Sequence, residues 1–110
     1  MGKFVIKKRN NGEFQFSLQA NNGQPILTSE GYLSKAGCEN GIASVKINEK
    51  NTTMFELKES PNRKFYFNLK ASNGHVIGTS EMYESIGGRA NGVVSVIINA
   101  QNAAIEDQTR

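Results

Sequence analysis

Between residues 13 and 20 the chain alternates without a break. Phe14, Phe16, Leu18 and Ala20 fall on one side, and Glu13, Gln15, Ser17 and Gln19 on the other. A period of two predicts a strand with one buried and one wet face. Residues 64–71 repeat it, with Phe65, Phe67, Leu69 and Ala71 inward and Lys64, Tyr66, Asn68 and Lys70 outward. Phe4 and Ile6, like Phe55 and Leu57, alternate with mostly polar neighbours and predict an opening strand before each of these. Asn11-Gly12 marks the hairpin turn between the first two strands, and Asn22-Gly23 a second turn leading to a short strand at 25–29. Pro61-Asn62 replaces the first turn in the later half of the chain. Pro25 means that the third strand starts there or lies at a sheet edge.

After Tyr32 the period lengthens. Ser34 reads as an N-cap, and Cys38, Ile42 and Val45 then fall at i, i+4 and i+7 on one helical face. In the second half Ser85 caps, Val93 and Val96 hold the equivalent face, and Ile97 lies beside it. Asn48 and Asn99 stand where each helix should end. Gly41 and Gly92 fall inside the helices at a cost near ~1 kcal/mol each relative to Ala. A close approach of helix to sheet is the expected compensation.

The two halves are copies. A shift of 51 residues places Phe4 on Phe55 and runs without a gap to Asn51 on Asn102, and 23 of those 48 pairs are identical. A duplication accounts for that, and internal repeats decide the fold. Each unit reads β-β-β-α followed by a strand. The residues after the first helix, 52–58, include the opening strand of the second copy, and those after the second helix, 103–107, form a last strand. The fold class is therefore α+β, with tandem β-β-β-α-β units in one antiparallel-rich sheet and both helices on its apolar face. Residues 1–110 form one domain of two repeats, 1–51 and 52–110.

Four motifs occur twice: Phe-x-Phe-x-Leu-x-Ala, the Asn-Gly turn, Thr-Ser-Glu-x-Tyr-x-Ser, and Asn-Gly-[Ile/Val]-x-Ser-Val. With them the whole chain resembles the YegP-like family of small, mostly bacterial proteins of unknown function. The resemblance implies a single sheet in which the last strand of each unit is exchanged onto the other. Single-unit members are expected to build the same sheet as dimers, so a two-unit chain is its own dimer and a monomer. The resemblance implies no activity and transfers no catalytic residues.

Composition narrows the function. With 37% hydrophobic and 21% charged residues, the 110-residue chain is globular rather than disordered. No apolar run approaches the ~20 residues of a membrane helix, and residues 1–7 hold no apolar stretch long enough for a signal peptide. Met1-Gly2 opens like a myristoylation site, but Ile6 stands where Ser or Thr is expected. One cysteine, Cys38, excludes an internal disulfide and fits a reducing compartment, so the expected location is the cytoplasm. The net charge of +3 is scattered among glutamates and falls short of a basic stripe.

Candidate chemistry is sparse. His75 is the only histidine and Cys38 becomes Arg89 in the second copy, so no metal centre, cofactor or Cys-His nucleophile is expected. Gly87-Gly88 could offer backbone donors to an anion, but its counterpart is Ala36-Gly37. The best candidate is the repeated Ser-Glu-x-Tyr, as Ser29, Glu30, Tyr32 and Ser80, Glu81, Tyr83. It reads either as capping and packing or as a pair of polar pockets for a ligand or peptide. Neither glutamate has an evident partner acid, which leaves acid–base catalysis without support. The leading expectation is a non-enzymatic binding module with a protein or small-molecule partner. The alternative is weak nucleic-acid association on the open sheet face, through Lys7, Lys58, Lys64, Lys70 and Tyr66, with Tyr66 stacking a base.

Overall fold

The computed structural model describes residues 2–48 and 54–109. In chain order it holds β1 (Lys3–Lys8), β2 (Phe14–Gln19), β3 (Pro25–Ser29), α1 (Lys35–Asn48), β4 (Phe55–Glu59), β5 (Phe65–Lys70), β6 (Val76–Ser80), α2 (Ile86–Ala100) and β7 (Ala104–Asp107). Each element falls where its periodicity places it. Thr52 and Thr53 of the expected strand, and the repeat boundary between 51 and 52, lie outside the described residues.

The strands form one seven-stranded sheet in the order β4-β5-β6-β3-β2-β1-β7. The registers of the repeats coincide: Phe4 faces Leu18 and Ile6 faces Phe16, as Phe55 faces Leu69 and Leu57 faces Phe67. The repeats join where β3 and β6 run antiparallel, with Thr28 opposite Thr79. At this seam the approximate twofold breaks for a packing reason. Leu27 corresponds to Gly78, and a Cβ on Gly78 would sit 2.9 Å from the Leu27 side chain, so only one of the pair can be large.

Among the described residues all strand pairings are antiparallel except one. β7 lies parallel to β1, from Lys3↔Ala104 to Ile6↔Asp107, so the strand that follows α2 completes the sheet of the first repeat. The strand that follows α1 is β4, paired with β5 of the second. The tail strand of the second unit is thus exchanged onto the first, while β4 opens the second unit and pairs within it, in a sheet that is mixed. Pro25 opens β3, a central strand where a proline is tolerated only at the first position.

The core lies under both helices. Phe4, Phe16 and Tyr32 stack in series, with Phe4–Phe16 edge-on at 5.8 Å and Phe16–Tyr32 parallel at 6.3 Å. Phe55, Phe67 and Tyr83 repeat the geometry at 5.5 and 6.4 Å. Cys38, Ile42 and Val45 bury the face of α1 that their spacing assigns. Ser34 and Ser85 cap through their hydroxyls, which accept the Gly37 and Gly88 N–H at 3.0 and 2.9 Å. α2 runs one residue past Asn99, because that amide donates back to the Ser95 carbonyl at 2.8 Å instead of ending the helix.

Candidate functional site

The seam brings the two Ser-Glu-x-Tyr copies together, and their members take different jobs. Ser29 and Ser80 point into the sheet. Their hydroxyls accept the Phe16 and Phe67 N–H, both at 2.9 Å, and donate to the Glu30 and Glu81 carbonyls, both at 2.8 Å. These hydroxyls are spent on backbone and are not free nucleophiles. A polar side chain is tolerated here because each buried group finds a partner.

Tyr32 and Tyr83 seal the ends of β2 and β5. Tyr32 exchanges both backbone hydrogen bonds with Phe14, each at 2.7 Å, and Tyr83 does the same with Phe65 at 2.7 and 2.8 Å. Their rings run out to the helices. A Cβ on Gly41 would lie 2.3 Å from the Tyr32 hydroxyl, and one on Gly92 would lie 2.4 Å from that of Tyr83. The helical glycines therefore clear a slot for tyrosine, a more local cause than approach of the helix as a whole. Burial raises both phenol pKa values, with Cys38 and Glu30 adding to the effect at Tyr32 and Glu81 at Tyr83.

Glu30 and Glu81 remain outside. Both carboxylates are exposed and have no hydrogen bond or ion pair among the described residues. Both border one shallow concavity of about 520 Å³ on the open face, with Thr28 and Thr79 between them and Arg9 at one side. The floor is polar and braced: Thr79 donates to Asn68 Oδ1 at 2.8 Å, and Gln15 donates to the Ser29 carbonyl at 3.0 Å. Arg9 is held by Glu13 at 3.2 Å. Glu30 also borders a second cleft of about 450 Å³, shared with Tyr32, His75 and Val76.

Sequence reasoning missed Thr28, Thr79, Arg9 and His75. The threonines carried a signal, since both belong to the repeated Thr-Ser-Glu. Arg9 and His75 carried none, because the other copy has Ser60 and Gln24 in their places. No group of three or more His, Cys, Asp or Glu suited to a metal occurs among the described residues, nor a helix long and apolar enough to cross a membrane.

The exchanged-strand sheet, the doubled motif and the seam between copies define a tandem-repeat α+β protein. A family model described as "Domain of unknown function (DUF1508)" matches twice, at residues 10–56 and 60–107. The chain belongs to this family. It is 45% identical over 108 residues to the UPF0339 protein YegP of Escherichia coli O6:H1, with 98% of each chain covered. It is 47% identical to YegP of Yersinia pestis, covering 99% of this chain and 97% of that protein. A solution NMR structure of E. coli YegP, titled a protein of unknown function, superposes with a TM-score of 0.94 at 44% identity, covering 98% of this chain and 93% of that one. A UPF0339 protein from Shewanella oneidensis gives 0.93 at the same identity, covering 98% and 92%.

Proposed function

We propose that the chain is a non-enzymatic, cytoplasmic binding module whose open sheet face holds an extended, hydrogen-bond-donating ligand with positive charge, such as a short basic peptide segment. The observation that carries this reading is the pair of uncommitted carboxylates, Glu30 and Glu81, on one polar concavity. Carboxylates accept strong, charge-assisted hydrogen bonds from ammonium and guanidinium groups. A floor of threonine and serine, braced by Asn68 and Gln15, loses little entropy when a ligand arrives. Catalysis has less support, since the motif's serines are bound to backbone and its tyrosines hold their protons more tightly than usual. Phosphate binding has less support too. Lys64 and Lys70, two of the cations it would use, are engaged with Glu84 and Glu56, and the seam itself is acidic. The buried, free Cys38 thiol suits a reducing compartment.

The test is a heteronuclear NMR titration at low salt with a Lys/Ser octapeptide and, separately, a single-stranded oligonucleotide. The peptide should shift the amides of Thr28, Glu30, Thr79 and Glu81. The Glu30→Gln/Glu81→Gln variant should weaken it by at least about tenfold, the order expected for lost charge-assisted bonds. Unmoved seam amides, or an oligonucleotide that binds as tightly as the peptide, would overturn the reading.

A further inference from the structure

The two edges of the sheet are not equivalent. At one, β7 covers β1: the Gln108 N–H donates to the Ile6 carbonyl at 2.9 Å, and Lys3–Glu106 and Lys35–Asp107 pairs, both at 2.8 Å, pin the strand. At the other, β4 is terminal. The shift of 51 puts Leu57 in the place of Ile6 and Ile86 in the place of Lys35. Ile6 is wholly buried, whereas Leu57 is 58% and Ile86 61% exposed. By the same shift the counterpart of β7 would be residues 53–56, of which Phe55 and Glu56 already belong to β4. The duplicated plan has one strand place left open.

We propose that this place is filled by β4 of a second copy, pairing antiparallel about a twofold axis at Leu57. Ile6 turns its carbonyl toward β7, and backbone groups alternate sides along a strand. At the matching positions Leu57, and with it Phe55 and Glu59, present N–H and C=O to the open side. Pairing about Leu57 satisfies them in a self-complementary register. Leu57 meets Leu57 of the second copy on the helix side, with Ile86 of each copy flanking them. On the open face Glu56, which also accepts from Lys70 and Asn68 of its own chain at 2.9 and 3.1 Å, falls opposite Lys58 of the second copy, and Lys58 opposite its Glu56. Lys58 has no ion pair among the described residues, and opposite charges directly across a strand pair are stabilising. The repeats already join by the same kind of twofold antiparallel pairing, at β3–β6.

A second copy's β7 fits less well. Its Glu106 would meet Glu56, with Met54 in place of Lys3, and its Asp107 would meet Ile86. An edge of five residues lies below roughly 1,200 Å² in total, the range of weak, transient contacts. The dimer is therefore concentration-dependent, with a dissociation constant on the order of 100 μM. This adds a second joint to a chain that the sequence presents as its own dimer and a monomer.

Sedimentation equilibrium from about 10 μM to about 1 mM tests it. The weight-average mass should climb from 12.1 kDa toward twice that value, with amide exchange at Phe55, Leu57 and Glu59 slowing as concentration rises. Lys58→Glu should weaken association at least about tenfold, and Glu56→Lys/Lys58→Glu should restore it. Leu57→Lys, at an exposed position, should abolish it while leaving the melting curve intact. A mass that stays monomeric at the highest concentration overturns the proposal. So does association that survives Lys58→Glu and Leu57→Lys, which would move the contact to another surface, such as the exposed Val94–Ile98 stripe of α2.

Discussion

Arg63 holds a φ of 64° at the place where the first repeat has Gly12 at 86°. A side chain in that region costs about 1–2 kcal/mol, while glycine gives up about 0.5–1 kcal/mol more chain entropy. Arg63→Gly should therefore raise stability by about 0.5–1 kcal/mol, read as a higher urea midpoint at unchanged slope. A lower midpoint would show that the Arg63 side chain contributes more than its strain. The sequence pointed to both turns but not to this strain, because Pro61-Asn62-Arg63 does not advertise a left-handed residue as Asn11-Gly12 does. At the candidate site the duplication made Ser29, Tyr32 and their copies stand out. It could not assign their roles, since the amide that Ser29 caps belongs to Phe16, 13 positions away across a hairpin.

At the scale of elements, the slot between helix and tyrosine has a measurable cost. An alanine normally favours a helix over glycine by about 1 kcal/mol, but at Gly41 the new methyl meets the Tyr32 ring and hydroxyl. Gly41→Ala should destabilise by about 1–3 kcal/mol, as overpacking does. Tyr32→Phe should recover part of the loss in a double-mutant cycle. A gain in stability from Gly41→Ala alone would mean that the ring moves aside freely. Strand and helix types, the caps and the buried faces were legible because periods of 2 and 3.6 survive in short stretches such as 13–20 and 34–45. The edge position of β4 was not legible. Phe55, Leu57 and Lys58 repeat Phe4, Ile6 and Lys7, with only Glu56 for Val5 to tell the stretches apart, and which of the two finds a neighbour is settled by β7, after the second helix.

For the molecule as a whole, acid should act first on the β1–β7 edge. The Lys35 hydrogen bond, followed by Thr109, holds the Asp107 carboxyl well below the usual carboxylate range, and the Lys3 hydrogen bond lowers that of Glu106. A depressed carboxylate contributes stability that is present above its unfolded value near ~4 and is lost as pH falls through its folded value. Docking of β7 should hold through neutral pH and weaken as the pH drops below about 4. Exchange protection at Glu106 and Gln108, corrected for intrinsic rates, should fall there before that of β2 or β5. Asp107→Asn should weaken protection at neutral pH and flatten its acid dependence. Protection that stays uniform across the sheet down to about pH 2 would show that the pairs do not hold the strand.

The exchanged strand also sets a clock. Lys3 and Glu106, partners across the β1–β7 edge, are 103 positions apart. At roughly 5–20 residues per second of synthesis, β1 waits about 5–20 s for the strand that will cover it. Through that interval its outer backbone is a template for any passing chain, and Lys3, Lys7 and Lys8 stand along it as the charges that discourage such pairing. One of the three, Lys3, later becomes an anchor for the incoming strand. A residue that first keeps strangers off the nascent edge then fastens the strand that belongs there.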